Sequence, residues 1–507
     1  MRPRTKGVSI NQRHLTSDLK SNLEIIKTIL NESGDIIIRE FLIANQTKAA
    51  ILCVDGLVNK EVVQYSVLTP LLVYSNDGYW VPRYRIKEYL EKNLLTAEDI
   101  KENRVISSII DKVLAGDTAL LIDKEDTALI ISSRGFSTRA ISEPSSEAVV
   151  RGPRESFTEA LRINTSLIRR KIINPNLVFE SVTLGKVTKT AVNIVYIKGL
   201  AKENLVQEVR RRIKEIDVDG IFDTGYIEQL IEEHPYSPFA TTGYTEKPDV
   251  LAAKILEGRV GVLVDGSPNA LSIPLLFVEK FQTSEDYYSR PLFSSFIRII
   301  RFISFLISIA SPAIYVILVS FQSELLPTQL LVTFANAVEG TPFPAVVEVS
   351  IMMLFIEILR EAGVRMPRPI GPAVGIVGSL VMGESAVSSG LIGQPLVIVI
   401  ALTAITSYII PTLYDESALL RMLLFLFSAF FGIIGLVSST ILVLIHLATL
   451  QPFGIPFMSP IMPLEGEDLK DTFVRAPLWF QKRRPKALGG SVRMGDKPSP
   501  PEESEEI

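Results

Sequence analysis

The chain has 507 residues with 52 Lys+Arg against 56 Asp+Glu, a formal net charge of −4, so no overall basic field points to nucleic acid. It is too long for one ordinary domain. Its single cysteine, Cys53, leaves no intrachain disulfide to form, which fits a reducing compartment for the soluble part.

Residues 1–20, beginning MRPRTKGVSINQRHLTSDLK, lack the apolar core of a signal peptide and are expected to be a flexible N-terminus. The first membrane-capable run comes about three hundred residues later, so the large N-terminal region is expected on the cytoplasmic side. Over 21–145, apolar runs such as IIIREFLI, AAILCVDGLV and TALLIDKEDTALIIS alternate with turns, and SNLEIIKTILNES has helical periodicity. This predicts a first α/β subdomain. The linker-like ISEPSSEAVVRGPRE leads into a second, 146–290, with helical ESFTEALRINTSLIRRKI and NLVQEVRRRIKEI followed by GRVGVLVDGSPNALSIPLLFVEKF. The Asp-Gly pairs in ILCVDGLV and VLVDGSPNALSI each predict a strand, turn and strand.

From about residue 296 to 464 the chain turns mostly apolar, and 291–450 is predicted to be a helical, polytopic membrane domain. Phe302 to Phe321 is uncharged, with Arg298 and Arg301 placed as cytoplasmic anchors. QSELLPTQLLVTFANAVEGTPFP carries glutamates but no lysine or arginine and reads as external. Pro344–Leu359 is a second span, followed by internal Arg360, Arg365 and Arg368. Ser385–Tyr414 and Met422–Leu464 are further uncharged runs, separated by an acidic turn at Asp415 and Glu416 that reads as external, with Arg421 an exception beside it. KRRPK at Lys482–Lys486 belongs inside. Four spans satisfy these charges, and 451–507 is a cytoplasmic tail, disordered from about 485.

The stretch GPAVGIVGSLVMGESAVSSGLIGQP, Gly371–Pro395, contains no lysine, which argues against a phosphate loop. A full crossing by Pro369–Glu384 would invert the last span. The segment is therefore expected to dip in from the cytoplasmic side or to break a longer third span, which is tolerated only where backbone is buried or lines water. Gly371, Gly375, Ser379 and Gly383 recur with spacing four, with Gly378 alongside, a face suited to close helix packing or to a pore wall. Glu384 and Glu348 are carboxylates at membrane depth, where charge usually faces a cavity. These seven residues are the pore-lining candidates. Glu357 is expected to pair with Arg360 instead.

His14, His234 and His446 stand apart without metal-ligand spacing, and no nucleophile, base and orienting group recur at motif spacing. No enzyme, metal site or cofactor is therefore expected. Arg151, Arg154, Arg162 and Arg169, with Arg170 and Lys171, form a basic cluster interleaved only with Phe157, too little for base stacking. It reads as a solvated face or a contact to acidic lipids, and the first four arginines are candidates for subunit contact.

Several stretches together carry a resemblance: RGPRESFTEALRINTSLIRRKI, PYSPFATTGYTEKPDVLAAKILEGRVGVLVDGSPNALSIPLLFVEKFQTSEDYYSRP, ELLPTQLL and PFGIPFMSPIMP. They closely resemble the A subunit of GerA-type spore germination receptors, from about residue 20 to about 480. The stage V sporulation AF protein is a relative of the same architecture. The resemblance implies a multi-pass protein of the inner spore membrane that works with a transporter-like, nutrient-sensing B subunit and a C-type lipoprotein. It further implies a homo-oligomer, expected as a pentamer, forming a nutrient-gated channel for monovalent cations. A secondary transporter built on broken helices and a membrane-anchored scaffold are the rival readings.

Overall fold

The computed structural model describes residues 13–43, 46–73, 90, 95, 99–135, 147, 149–365 and 383–493. The N-terminal half is built from two α/β units of matching design. The first runs α1 (Leu19–Ile29), β1 (Ile36–Ile43), β2 (Thr47–Val54), a helical segment Val62–Leu72, β3 (Ile100–Asn103), α2 (Ile106–Leu114), β4 (Thr118–Ile122) and β5 (Ala128–Ile131). The second runs α3 (Leu161–Lys171), β6 (Leu177–Leu184), β7 (Thr190–Ile197), α4 (Glu203–Lys214), α5 (Thr224–Ile231), β8 (Gly243–Thr245), α6 (Pro248–Leu256), β9 (Val260–Val264) and β10 (Ala270–Ile273). Strand order is β1-β2-β4-β5-β3 in one sheet and β6-β7-β9-β10-β8 in the other, antiparallel throughout. Helices cover both faces of each sheet, so TALLI in β4 and VGVLV in β9 are buried along their whole length and show no polar alternation.

The match extends to side chains. Asn22 accepts from the Thr16 amide at 2.9 Å and donates to its carbonyl, while Asp123 after β4 accepts from the Leu19 amide. At the same sequence interval, Asn164 accepts from the Thr158 amide at 2.8 Å and donates to its carbonyl, and Asp265 after β9 accepts from Leu161. Each unit thus ties down the turn before its leading helix and that helix's first amide in the same way, although the Asp18 cap on the Ser21 amide is replaced by Ala160 in the second unit. Gly116 and Gly258 hold the same turn before β4 and β9, at φ +101° and +103°.

Two expectations change here. Residues 13–20 are not a loose terminus: Leu15 and Leu19 are buried and His14 bridges Val105. The Asp265-Gly266 hairpin forms between β9 and β10, but Asp55-Gly56 does not return along β2. Both edges of β2 are already taken by β1 and β4. The chain therefore leaves through Gly56, at φ +84°, to bridge Val58 with Arg134.

The bundle contains α7 (Pro291–Val316), α8 (Thr328–Glu339), α9 (Ala345–Arg365), α10 (Gln394–Tyr408) and α11 (Tyr414–Thr449). Among the described residues, two helical stretches are long and apolar enough to cross a membrane, Pro291–Phe321 and Pro411–Thr449. The second is folded back on itself. Gly432 has φ +59° and ψ −135°, a conformation open to glycine, and a Cβ on Gly435 would collide with the Phe427 carbonyl. Each arm then rises roughly 25 Å, enough for most of a bilayer core. The tip at Gly432 packs on Phe321 at the far pole, while Leu420 and Leu447 meet in one cluster with Phe277 and Phe281 of the second unit at the near pole.

Loop charge alone puts Asp415 and Glu416 on the side away from the α/β region. In the structure Glu416 is buried against Lys280, on the near side. The run Met422–Leu464, which reads as one span, is largely the hairpin. The tail does not come loose at Pro485 either: Leu488 is 1% exposed in the second unit's core, beside Phe453 and Ile455.

Candidate functional site

Glu348 lies in the first turn of α9, fully buried among Tyr315, Val349, Leu396 and Phe425. Its Oε2 accepts from the amide of Gly393, the residue that caps α10, at 3.4 Å. The carboxylate therefore sits at the N-terminal ends of two helices, where partial positive charge favours an anion. Among the described residues its Oε1 has no hydrogen-bond partner, nor has the Tyr315 hydroxyl nearby. A carboxylate buried this deeply is expensive, which marks the position as a specialised one.

Beside it, between α9, the chain at 383–392 and α10, is a cavity of about 580 Å³. Its lining is largely apolar, with Met352 and Phe355 among the large residues and Gly383, Ala386, Ala401 and Ala404 among the small ones. Ser385 and Ser389 are its polar lining residues. Glu384 is exposed. A Cβ on Gly383 would meet Val397 at an ordinary 3.5 Å, so sterics do not demand a glycine there. Gly371, Gly375, Gly378 and Ser379 lie outside the described residues.

At the near pole, Glu357 pairs with Arg360 at 3.2 Å, as its sequence spacing predicts. Sequence reasoning missed the rest of this cluster. Arg421 reaches Glu357 at 3.0 Å, the Tyr414 hydroxyl donates to it at 3.3 Å, and Arg360 lies 4.0 Å over the Tyr414 ring. The available signal was Arg421 itself, the one charge out of place beside an acidic turn.

The junction between the α/β region and the bundle is ionic and buried. Lys280 pairs with Glu416. Asp286 accepts from Arg298 at 3.2 Å and from Arg301 at 2.9 Å, and Arg298 continues to Asp471 at 2.9 Å. Burial, then the Asp471 carboxylate, push the Tyr287 phenol well above its usual range. Arg298 is 0% exposed and Arg301 is buried, so the two arginines read from the sequence as cytoplasmic anchors are turned into the junction.

The basic cluster disperses. Arg169 is 1% exposed and joins the two α/β units through a bidentate contact to Asp35, with further bonds to Asn174 and Leu177 carbonyls. It is turned inward and is no surface for a second subunit. Arg162 pairs with Asp55, and Arg170 and Lys171 hold Glu155. Arg151 and Arg154 remain at the surface. His446 meets the Ser237 hydroxyl at 2.8 Å, a further tie between bundle and second unit.

The family model described as Bacillus/Clostridium GerA spore germination protein matches residues 24–487. Spore germination protein KA of Bacillus subtilis (strain 168) is 41% identical over 487 residues, covering 95% of this chain and 89% of that protein. The uncharacterized membrane protein YfkQ of the same strain is 38% identical over 506 residues, covering 99% and 97%. Spore germination protein GerLA of Bacillus cereus is 38% identical over 482 residues, covering 93% and 96%. The crystal structure of the N-terminal domain of the A subunit of the Bacillus megaterium spore germinant receptor GerK3 aligns with TM-score 0.42 and 32% identity. That alignment covers 52% of this chain and 98% of the other.

Proposed function

Because the chain belongs to the GerA family of spore germination proteins, we propose that it is the A subunit of a nutrient-responsive germination receptor and forms a gated channel for monovalent cations. In this reading several copies, five in our proposal, surround an axis in the inner spore membrane, beside a transporter-like B subunit and a C-type lipoprotein. The α/β region and the tail share the cytoplasmic side. Support for that sidedness comes from the hairpin at Gly432, which returns the chain to the near pole, where KRRPK and the soluble half already are.

The observation that carries the reading is Glu348, a fully buried carboxylate with one oxygen unpartnered among the described residues, near an apolar cavity lined in part by small residues. Before the glycine-rich stretch, Arg360 sits at the near pole against Asp415; within its described part, Gly390 lies beside Gly340 at the far pole. A stretch with ends so placed can wall a pore along the bundle, with exposed Glu384 supplying a ring of charge and apolar neighbours the gate. A nutrient bound by a partner shifts closed and open populations, and the buried Lys280–Glu416 and Asp286–Arg298 pairs pass the change to the helices.

Single-channel recording on the purified oligomer tests this. Cation-selective steps are expected, with selectivity over anions reduced in Glu384→Gln. Absence of conductance in the assembled oligomer, under resting and triggered conditions alike, would sink the channel and favour a scaffold.

A further inference from the structure

We propose that the segment 471–483, which straps the base of α7, is an interfacial anchor resting in the phospholipid headgroup layer at the near pole. The proposal rests on the membrane reading of the bundle. Its starting point is a vacancy in that reading: Arg298 and Arg301, the natural headgroup ligands at the base of α7, are buried and neutralised by Asp286 and Asp471. Another element has to meet the headgroups.

Depth comes from α7. Leu292, Phe296, Ile299, Ile303 and Leu306 are exposed and recur every three or four residues, one apolar stripe that starts in the first turn. Contact with lipid therefore begins where the helix begins. The strap is fastened at this level. The Arg475 amide donates to the Ser295 hydroxyl at 3.0 Å, and the Phe473 ring lies 4.5 Å from Phe302.

The strap's outer surface has the chemistry of a membrane interface. Phe473, Val474, Leu478, Trp479 and Phe480 are all exposed, Phe480 to 58%. In water such a patch is an adhesion hazard, whereas aromatic side chains are favoured at the boundary between headgroups and acyl chains. Directly after them come exposed Lys482 and Arg483. Arg483 is paired with Glu467 only at 3.5 Å and at the surface, so it can turn to a phosphate. The strap is also held in shape: Arg475 is buried and bonds the Tyr287 carbonyl, and buried Gln481 donates to the Ala476 carbonyl at 3.1 Å. A fixed loop with an apolar wedge and a basic rim suits a bilayer surface containing anionic phospholipid.

The full chain carries two tryptophans, Trp80 and Trp479, so Trp80→Phe makes Trp479 the sole indole reporter. This variant is reconstituted in bilayers of phosphatidylcholine with phosphatidylglycerol. Its fluorescence is quenched by lipids brominated near the glycerol, by lipids brominated at the chain ends, and by aqueous iodide. Shallow bromines are expected to quench roughly twofold more than either alternative. Adding Lys482→Glu with Arg483→Glu should remove the gain in shallow quenching that phosphatidylglycerol confers. Quenching by iodide alone puts the strap in water and overturns the proposal, as does protection from all three quenchers, which would mean a protein contact. Unchanged lipid quenching in the charge-reversed variant overturns the headgroup contact. Retention of the chain in the membrane after alkaline carbonate washing separates a failed strap from a failed membrane reading.

Discussion

The two α/β units share a strand order and the same asparagine tie before the leading helix, yet among the described residues only the second is fastened to the bundle. The first covers both faces of its sheet with its own helices and meets the second through Arg169 and Asp35. The second unit continues past β10 into 274–290, which supplies Phe277, Lys280, Phe281 and Asp286, all engaged with helices or tail. The repeated scaffold thus meets the bundle mainly through an extension, with Ser237 and Phe239 of the second unit beside it.

That contrast can be broken at defined points. Arg169→Ala should have the largest effect, about 3–5 kcal/mol, because Asp35 would be left buried and unpaired between the units. Hydrogen exchange should rise across the unit interface while the near-pole contacts stay protected. Lys280→Ala should cost about 3 kcal/mol by stranding Glu416, and exchange should rise at the near pole instead. If either variant loosened both places equally, the division of labour would be wrong. Asn22→Ala and Asn164→Ala should each cost about 1–2 kcal/mol in unfolding experiments, with closely similar values, since each removes the same pair of backbone bonds. Clearly unequal losses would show that the repeated motif has diverged energetically. The smallest effect belongs to α4, a charged helix facing outward in the second unit. Arg211 first and then Arg212 hold Glu208 at a pKa of about 2, so its stabilisation is present above 4.5 and fades as pH falls toward about 2. At this surface position Glu208→Gln should cost below about 1 kcal/mol at neutral pH and should flatten the acid limb of the stability curve.

How much of this was legible depends on where each residue finds its partner. The apolar runs TALLI and VGVLV announce buried strands by themselves. The Asp55-Gly56 turn misleads because hairpin chemistry is local, whereas the occupancy of both β2 edges is not. Loop charge misplaces the Asp415–Glu416 turn for a related reason. The positive-inside tendency weighs charges that face water, while Glu416 and Arg421 are buried and answered by Lys280 and Glu357. The reversal at Gly432 hides because two short apolar arms read like one long one. Gly432 and Gly435 were its only local marks. At the candidate site, a carboxylate in an apolar run made Glu348 visible, but its bond to Gly393 joins α9 to a helix beyond the glycine-rich stretch. Arg169 looked like surface for the same reason: Asp35 lies in the other unit.

The second unit's core has one further consequence. Phe453, Ile455 and Leu488 close an apolar layer whose strands all precede the bundle. On the ribosome, those strands emerge long before the side chains that seal them. The nascent unit must wait with a gap in its core while α7 to α11 are made, and its last pieces arrive only when the hairpin has returned. Completion of the second unit is thereby timed by completion of the bundle, and a chain stopped short of Leu488 would betray itself by an unsealed, protease-sensitive second unit.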